Sequence, residues 1–405
     1  MSIFRSVVLP QPLRIAVLSD LHCHPKNDGT QGQNRTHFFS DGPRTQGNRH
    51  PIQWLVDLIA TETPQLQVDL VALPGDFTDQ ANLHGYIVAV HSLREVASLL
   101  GAKAIAATLG NHDVDSRGSI GLGPFYAARQ MFPDFPISDR AQSNSFFNQG
   151  FAILEGENFR VLLVNSVISH TTKDASEAGL ASPVELAALR AALSGLPPKA
   201  FNLCLVHHHV IPHEQLQLGA KDLMVGGEEL LRLLEELGFC LVIHGHKHHP
   251  RLRYSTTGLL PVFAAGSLSA AIDPITGSDC RNTFHIIDLN TPGAVVNNIH
   301  GQIHTWELKL ETGWTRTTRK SSGFPGLAGF GFRSSIESLA QQIAEYFAQA
   351  GLPFLRWTDI VTSIPQLAYL IPTDVEAISR HLLSVHRLKA DTDPAEPIMI
   401  GRPVP

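Results

Sequence analysis

Residues 104–113 read AIAATLGNHD, an apolar run of strand length closed by a glycine and followed by an amide, an imidazole and a carboxylate. The same layout recurs on both sides of it. Toward the N-terminus, residues 14–19 (RIAVLS) run into Asp20 and His22, and residues 69–73 (DLVAL) run into Gly75 and Asp76. Toward the C-terminus, residues 201–206 (FNLCLV) run into His207, His208 and His209, and residues 239–243 (FCLVI) run into His244, Gly245, His246, His248 and His249. Helical patterns separate these runs. One covers residues 52–62, a second covers 85–100 and closes at Gly101, and a third covers 228–237, with acidic residues in its first turn and Gly238 behind it. Strands alternating with helices of this length predict an α/β fold. Ligands in such folds collect beyond the carboxyl ends of the strands, so the five polar clusters are expected to converge on one site.

Composition narrows the classes. A chain of 405 residues has room for two or three domains, and 43% hydrophobic against 17% charged residues supports a buried core and excludes a disordered chain. Thirty-one Lys and Arg stand against 37 Asp and Glu, and a net charge of −6 offers no global attraction to nucleic acid or to an anionic membrane. No apolar run approaches the roughly 18–20 residues of a membrane span, and a cytoplasmic protein without a signal peptide is expected. Cys23, Cys204, Cys240 and Cys280 form no CxxC pair, which reads as buried thiols in a reducing compartment. Ten of the 21 histidines fall in four short clusters, and such clustering is what a metal site requires.

Residues 26–50 are rich in Gly, Asn, Gln and Arg with little periodicity, and their position behind His22 suggests a lid. Beyond Pro261, strand-like runs at 261–264, 283–289 and 302–310 predict a second sheet. Residues 312–333, glycine-rich with Arg316, Arg319, Lys320 and Arg333, read as a linker. The expected organisation is a catalytic domain over 1–311, this linker, and a small C-terminal helical module over 334–405. Capping-box spacings at Ser334/Glu337 and Thr373/Glu376 mark that module, and Ile336, Leu339, Ile343 and Phe347 line one face of its first helix. No catalytic group is expected there.

The polar clusters carry metal chemistry. Asp20 and His22, two residues apart at a strand end, share a face and can hold one cation. Asp76 follows a glycine that lets the backbone turn sharply, and its two oxygens can bridge two cations. Asn111 offers a neutral oxygen beside the titratable His112, which Asp113 could orient. His246 and His248 alternate about Lys247, and Gly245 permits close approach. One member of the 207–209 triplet is expected to face the cluster, whereas His24, His213, His244 and His249 read as structural.

In chain order the clusters spell D-x-H, G-D, G-N-H-D, H and G-H-x-H. This order resembles the calcineurin-like metallophosphoesterase superfamily over residues 14–310, nearest to its bacterial cyclic-nucleotide phosphodiesterase type. The resemblance implies a four-layer sandwich of two β-sheets flanked by helices, with a two-metal site at the strand ends. It implies one ion on Asp20, His22, Asp76 and His248, and a second on Asp76, Asn111, His207 and His246. The superfamily usually shows a histidine pair followed by proline, whereas here Val210 follows three histidines, so His207 is preferred while His208 stays open. Two such cations, of Mn, Fe, Zn or Co type given the mixed ligands, would activate a hydroxide, with His112 as the catalytic residue serving the leaving group. The implied function is hydrolysis of a small phosphodiester such as a cyclic nucleotide. A phosphomonoesterase, a nuclease and a non-catalytic binding scaffold are the alternatives. The partner expected is a small phosphoester substrate, with no membrane, nucleic acid not favoured, and possible oligomer or partner contacts through the C-terminal module. Selectivity is expected in loops such as 26–50 and 115–148.

Overall fold

The computed structural model describes residues 11–26, 36–45, 50–116, 118, 121–130, 136–172, 178–213, 222–270 and 281–403. Residues 27–35 and 46–49 of the expected lid lie outside the described residues, as does Cys280. The N-terminal third supplies β1 (Leu13–Val17), β2 (Leu70–Leu73) and β3 (Ala104–Ala107). The middle supplies β4 (Phe151–Glu155), β5 (Phe159–Val164), β6 (Phe201–Leu205), β7 (Leu241–His244), β8 (Arg251–Tyr254) and β9 (Pro261–Ala264). Then follow β10 (Thr283–Asn290), β11 (His300–Lys309), β12 (Gly313–Arg316) and β13 (Leu327–Phe330).

These strands form two mixed sheets. The first has the order β12-β11-β10-β1-β2-β3, with β13 also on β11, and the second has the order β4-β5-β6-β7-β9-β8. In β2 every residue is buried, as the unbroken LVAL run requires of a strand covered on both faces. Period-2 alternation assigns the faces of the second sheet. Leu203, Leu205, Leu241, Ile243 and Phe263 share one core with the first sheet, while Cys204, Val206, Val242 and Val262 pack with the helices behind. Those helices are α5 (Pro183–Ser194) and α6 (Gly227–Glu236). On the first sheet lie α1 (Pro51–Glu62) and α2 (Leu83–Leu99), whose Leu55, Ile59, Tyr86 and Leu93 join the shared core. The short α3 (Tyr126–Gln130) and α4 (Arg140–Gln149) fall between β3 and β4. Helix–sheet–sheet–helix is the layering expected.

Two assignments differ from the sequence reading. The strands at 283–310 do not make a second sheet: β10 pairs antiparallel with β1, from Leu13↔Leu289 to Val17↔His285, and completes the first. The second sheet begins instead with the β4–β5 hairpin, whose apolar runs flank Gly156-Glu157-Asn158, a turn signal readable in the sequence. Residues 312–333 are not a linker either. Both β12 and β13 pair with β11, and α7 (Arg319–Ser322) lies between them. Trp314 is buried edge-on to Phe284, which stacks on Trp306, and its indole N–H donates to the Pro51 carbonyl. Glycine and basic residues dominate the composition, but the buried aromatics decide the structure.

The C-terminal module has α8 (Ile336–Ala350), β14 (Phe354–Arg356), α9 (Trp357–Ser363), α10 (Pro372–His381), β15 (Lys389–Ala390) and β16 (Met399–Gly401). It is therefore helices plus a small antiparallel sheet ordered β14-β16-β15, not helices alone. Leu339, Ile343 and Phe347 enter a separate core with Ile360, Ile378, Leu382 and Ile400. The cap of α8 is Ser335 rather than Ser334, accepting from the Ser338 N–H. At α10, Pro372 opens the helix and Glu376 turns to Arg319 instead of closing a capping box. Arg319 also reaches Asp393 at 2.6 Å, and the Arg319 and Gly326 N–H groups both donate to Glu396. The module is thus held on the segment that carries β12 and β13. Among the described residues, no helix is long and apolar enough to cross a membrane.

Candidate metal centre

The loops beyond β1, β2, β3, β6 and β7 meet at one place. Asp20 N–H donates to the Gly75 carbonyl at 3.1 Å and His22 N–H to the Asp76 carbonyl at 3.0 Å, so the first two loops run side by side. His246 N–H donates to Asp20 Oδ1 at 3.0 Å, tying the β7 loop to the β1 loop. Asp20 and His22 do not converge through strand alternation, because β1 ends at Val17. They converge through left-handed backbone: φ is +53° at Asp20, +49° at His22, +54° at Asp76, +86° at His246 and +63° at His248. Such values are uncommon outside glycine and persist only where the surroundings hold them. Part of that hold is steric. A Cβ on Gly75, itself at φ +109°, would lie 2.6 Å from Gly110 N, and one on Gly245 would lie 2.3 Å from Asp20 Oδ2.

Asp113 supplies the rest. Buried, it accepts the N–H groups of Asp76, Phe77, Thr78 and Gly110, and so fixes the loop that presents Asp76. It is not the partner of His112, as the sequence reading had it. Asp79 is, with its Oδ1 at 2.6 Å from His112 Nδ1, while the His112 N–H donates to Asp76 Oδ1. Asp79 sits three residues past Asp76 in GDFTD, a second carboxylate close enough in sequence to have been singled out.

Donor atoms interlock at the centre. Asp20, His22 and His248 form one set with ligand atoms within 4.8 Å of one another, His22, Asp76 and His112 form a second, and Asp20, Asp76 and His207 a third. His22 Nε2 and His248 Nε2 face each other at 3.0 Å. Asn111 Oδ1 lies 3.1 Å from both His207 Nε2 and His246 Nδ1. The His207 Nδ1 lies 2.9 Å from the Pro74 carbonyl, so its N–H donates there and Nε2 is the nitrogen turned to Asn111 and Asp76. His208 turns elsewhere: its Nδ1 pairs with the Ser166 hydroxyl at 2.8 Å. The triplet therefore brings His207 to Asp76. His209 packs edge-on with His244 and His213 and lies 6.0 Å from the His246 ring, and His24 pairs with the Pro25 carbonyl. Asp222, absent from the sequence reading, lies 2.5 Å from Lys247 Nζ and 3.6 Å from His246 Nε2.

Burial governs the charges. It pushes the Asp20 carboxyl up to about 7, drops His22 and His246 to about 4, and takes His248 well below its ordinary value. These imidazoles stay neutral at physiological pH and keep the lone pairs that ligation needs. Asp76 goes the other way: burial raises it, but the His207 and His112 imidazoles outweigh that and hold it well below the carboxylate range. Its Oδ2 is buried without a hydrogen-bond partner, 3.3 Å from His207 Nε2 and 3.5 Å from His22 Nε2. A buried carboxylate oxygen left over among imidazole nitrogens is what a cation requires, and mixed N and O donors suit a transition metal. The residues present fit the two-ion group.

A family model described as calcineurin-like phosphoesterase matches residues 13–250, and a second, wHTH-Calcineurin_assc, matches residues 328–384. No curated protein matches the chain. Among solved structures, purple acid phosphatase PPD1 from yellow lupin (Lupinus luteus) is similar at 14% identity and TM-score 0.47, over 73% of this chain and 52% of that one. A putative 5'-nucleotidase from Staphylococcus aureus is similar at 13% identity and TM-score 0.39, over 71% and 52%. TT1561 of Thermus thermophilus is similar at 14% identity and TM-score 0.36, over 68% and 94%. The chain spans about half the length of the first two. With the family match covering more than half of its residues, the chain belongs to the calcineurin-like phosphoesterases.

Proposed function

We propose that this protein is a cytoplasmic metal-dependent phosphodiesterase acting on a small phosphodiester of the cyclic-nucleotide kind. The observation that carries the reading is the single buried cluster in which Asp76 Oδ2, without a hydrogen-bond partner, stands between His22 and His207. Asp20, His22, Asp76 and His248 would hold one divalent ion, and Asp76, Asn111, His207 and His246 the other, with Asp76 shared. Bound there, the ions supply Lewis acidity toward phosphoryl oxygens and lower the pKa of a water. His112 serves the leaving group. Asp79 accepts from its Nδ1 and stabilises the imidazolium, which leaves the Nε2–H for the departing alkoxide.

The same donor set can serve a diester or a monoester, so the ranking of the two substrates is the discriminating measurement. The test compares kcat/KM of the Mn-loaded protein for cyclic nucleotides, an aryl phosphodiester, the matching monoester, oligonucleotides and phospholipid headgroup diesters. A small diester turned over at least about tenfold faster than the monoester supports the reading, and the reverse ranking overturns it.

A further inference from the structure

The cavity between α3 and α4 uses none of the residues of the metal centre. It has a volume of about 250 Å³ and is lined by Arg129, Arg140, Ser143, Asn144, Phe147 and Asn148. Five of these six come from α4, at spacings of three, four, seven and eight residues from Arg140, so they form one face of that helix. Arg129 enters from α3 and lies over the Phe147 ring at 4.8 Å from its centroid, which holds the guanidinium at the cavity. Among the described residues the lining offers two guanidiniums, two carboxamides and a hydroxyl, and no carboxylate. Ser143 is 1% exposed and its Oγ has no hydrogen-bond partner. With so little surface its oxygen lies beneath the cavity floor, and the donors open to the cavity are those of Arg129, Arg140, Asn144 and Asn148.

We propose that this cavity is a second anion-binding site, for a phosphate dianion either free or at the end of a small organic phosphate. The guanidiniums supply paired N–H donors matched to phosphate oxygens, and the amides of Asn144 and Asn148 add further N–H donors. The volume lies below the ~300–1,000 Å³ of pockets for drug-sized ligands, which limits the ligand to a phosphate with a small substituent. The site stands apart from the hydrolytic reading, because none of its donors belongs to the metal cluster.

The test is calorimetric titration of the metal-loaded full-length chain with inorganic phosphate and, in a second arm, with ethylphosphonate, a small organic analogue whose P–C bond is not hydrolysed. Wild type is expected to show two classes of site. Asp76→Asn should remove the one at the metal centre, and Arg129→Gln with Arg140→Gln should weaken the other about tenfold or more. Tighter binding of the phosphonate identifies an organic ligand, and equal or weaker binding identifies free phosphate. The proposal fails if folded Asp76→Asn protein binds neither anion, or if the arginine double variant retains both classes unchanged.

Discussion

The loops of the metal centre leave the strand ends of both sheets, the seam that holds the C-terminal module lies on the first, and different physics builds the two. At the centre, five ligand candidates stand at positive φ, and the buried Asp113 takes four backbone N–H groups to hold the loop beneath them. Asp20, His22, Asp76 and His207 there are buried, so the loss of one of these leaves its partners unpaired with no water to replace it. At the seam, Arg319 spreads its contacts over Glu376, Asp393 and, through its N–H, Glu396, and its side chain keeps some exposure. Water can substitute for part of what such a contact loses. Strain and burial concentrate function at the centre, whereas the seam distributes its adhesion. Single substitutions should therefore be decisive in the first region and graded in the second.

The sharpest test of the contrast is Asp76→Asn. One carboxylate is asked to serve two ions, so hydrolysis should fall to background and the variant should lose at least one ion by elemental analysis; full metal content would remove the bridging role. Next in size is a chain ended at Thr312, which lacks β12, β13 and Trp314. Losing a buried tryptophan costs roughly 3–5 kcal/mol against a typical total of about 5–15, and β11 would be left as a bare edge. Such a chain should aggregate, while one ended at Arg333 should stay folded and hydrolyse an aryl phosphodiester. A soluble, cooperative melt from the shorter chain would return residues 312–333 to the role of a linker.

Within the centre, His207→Ala should lose far more activity than His208→Ala or His209→Ala, since His208 is engaged with Ser166. A dead His208→Ala with normal metal content would reverse the order. His112→Ala should keep both ions and lower kcat by about 10²–10⁴ for a poor leaving group, and by less for a nitrophenolate. Asp79→Asn should follow the same leaving-group pattern with a loss of about 10–100-fold. Equal losses for good and poor leaving groups would show that the imidazole positions substrate rather than donating a proton. Smallest is Arg319→Ala at the seam, expected to cost about 1–2 kcal/mol in denaturant unfolding and to leave kcat unchanged. A change in kcat there would show that the seam reaches the centre.

The amino-acid sequence by itself determined the strand runs, the order of the polar clusters behind them, and hence most of the candidate donors: Asp20, His22, Asp76, Asn111, His246 and His248, with one of the three histidines at 207–209, are brought together. Those features are local, because an apolar run and the residue that follows it are written in consecutive positions. Tertiary structure alone decided which member of the histidine triplet faces Asp76, that Asp79 rather than Asp113 serves His112, and that β10 returns to β1 instead of starting a new sheet. It also decided that a glycine-rich basic stretch closes the edge of β11. Each of these depends on a partner tens to hundreds of residues away. Periodicity records how deeply a residue is buried, but the segment that buries it, and the left-handed turn that aims its side chain, follow only when the chain has returned on itself.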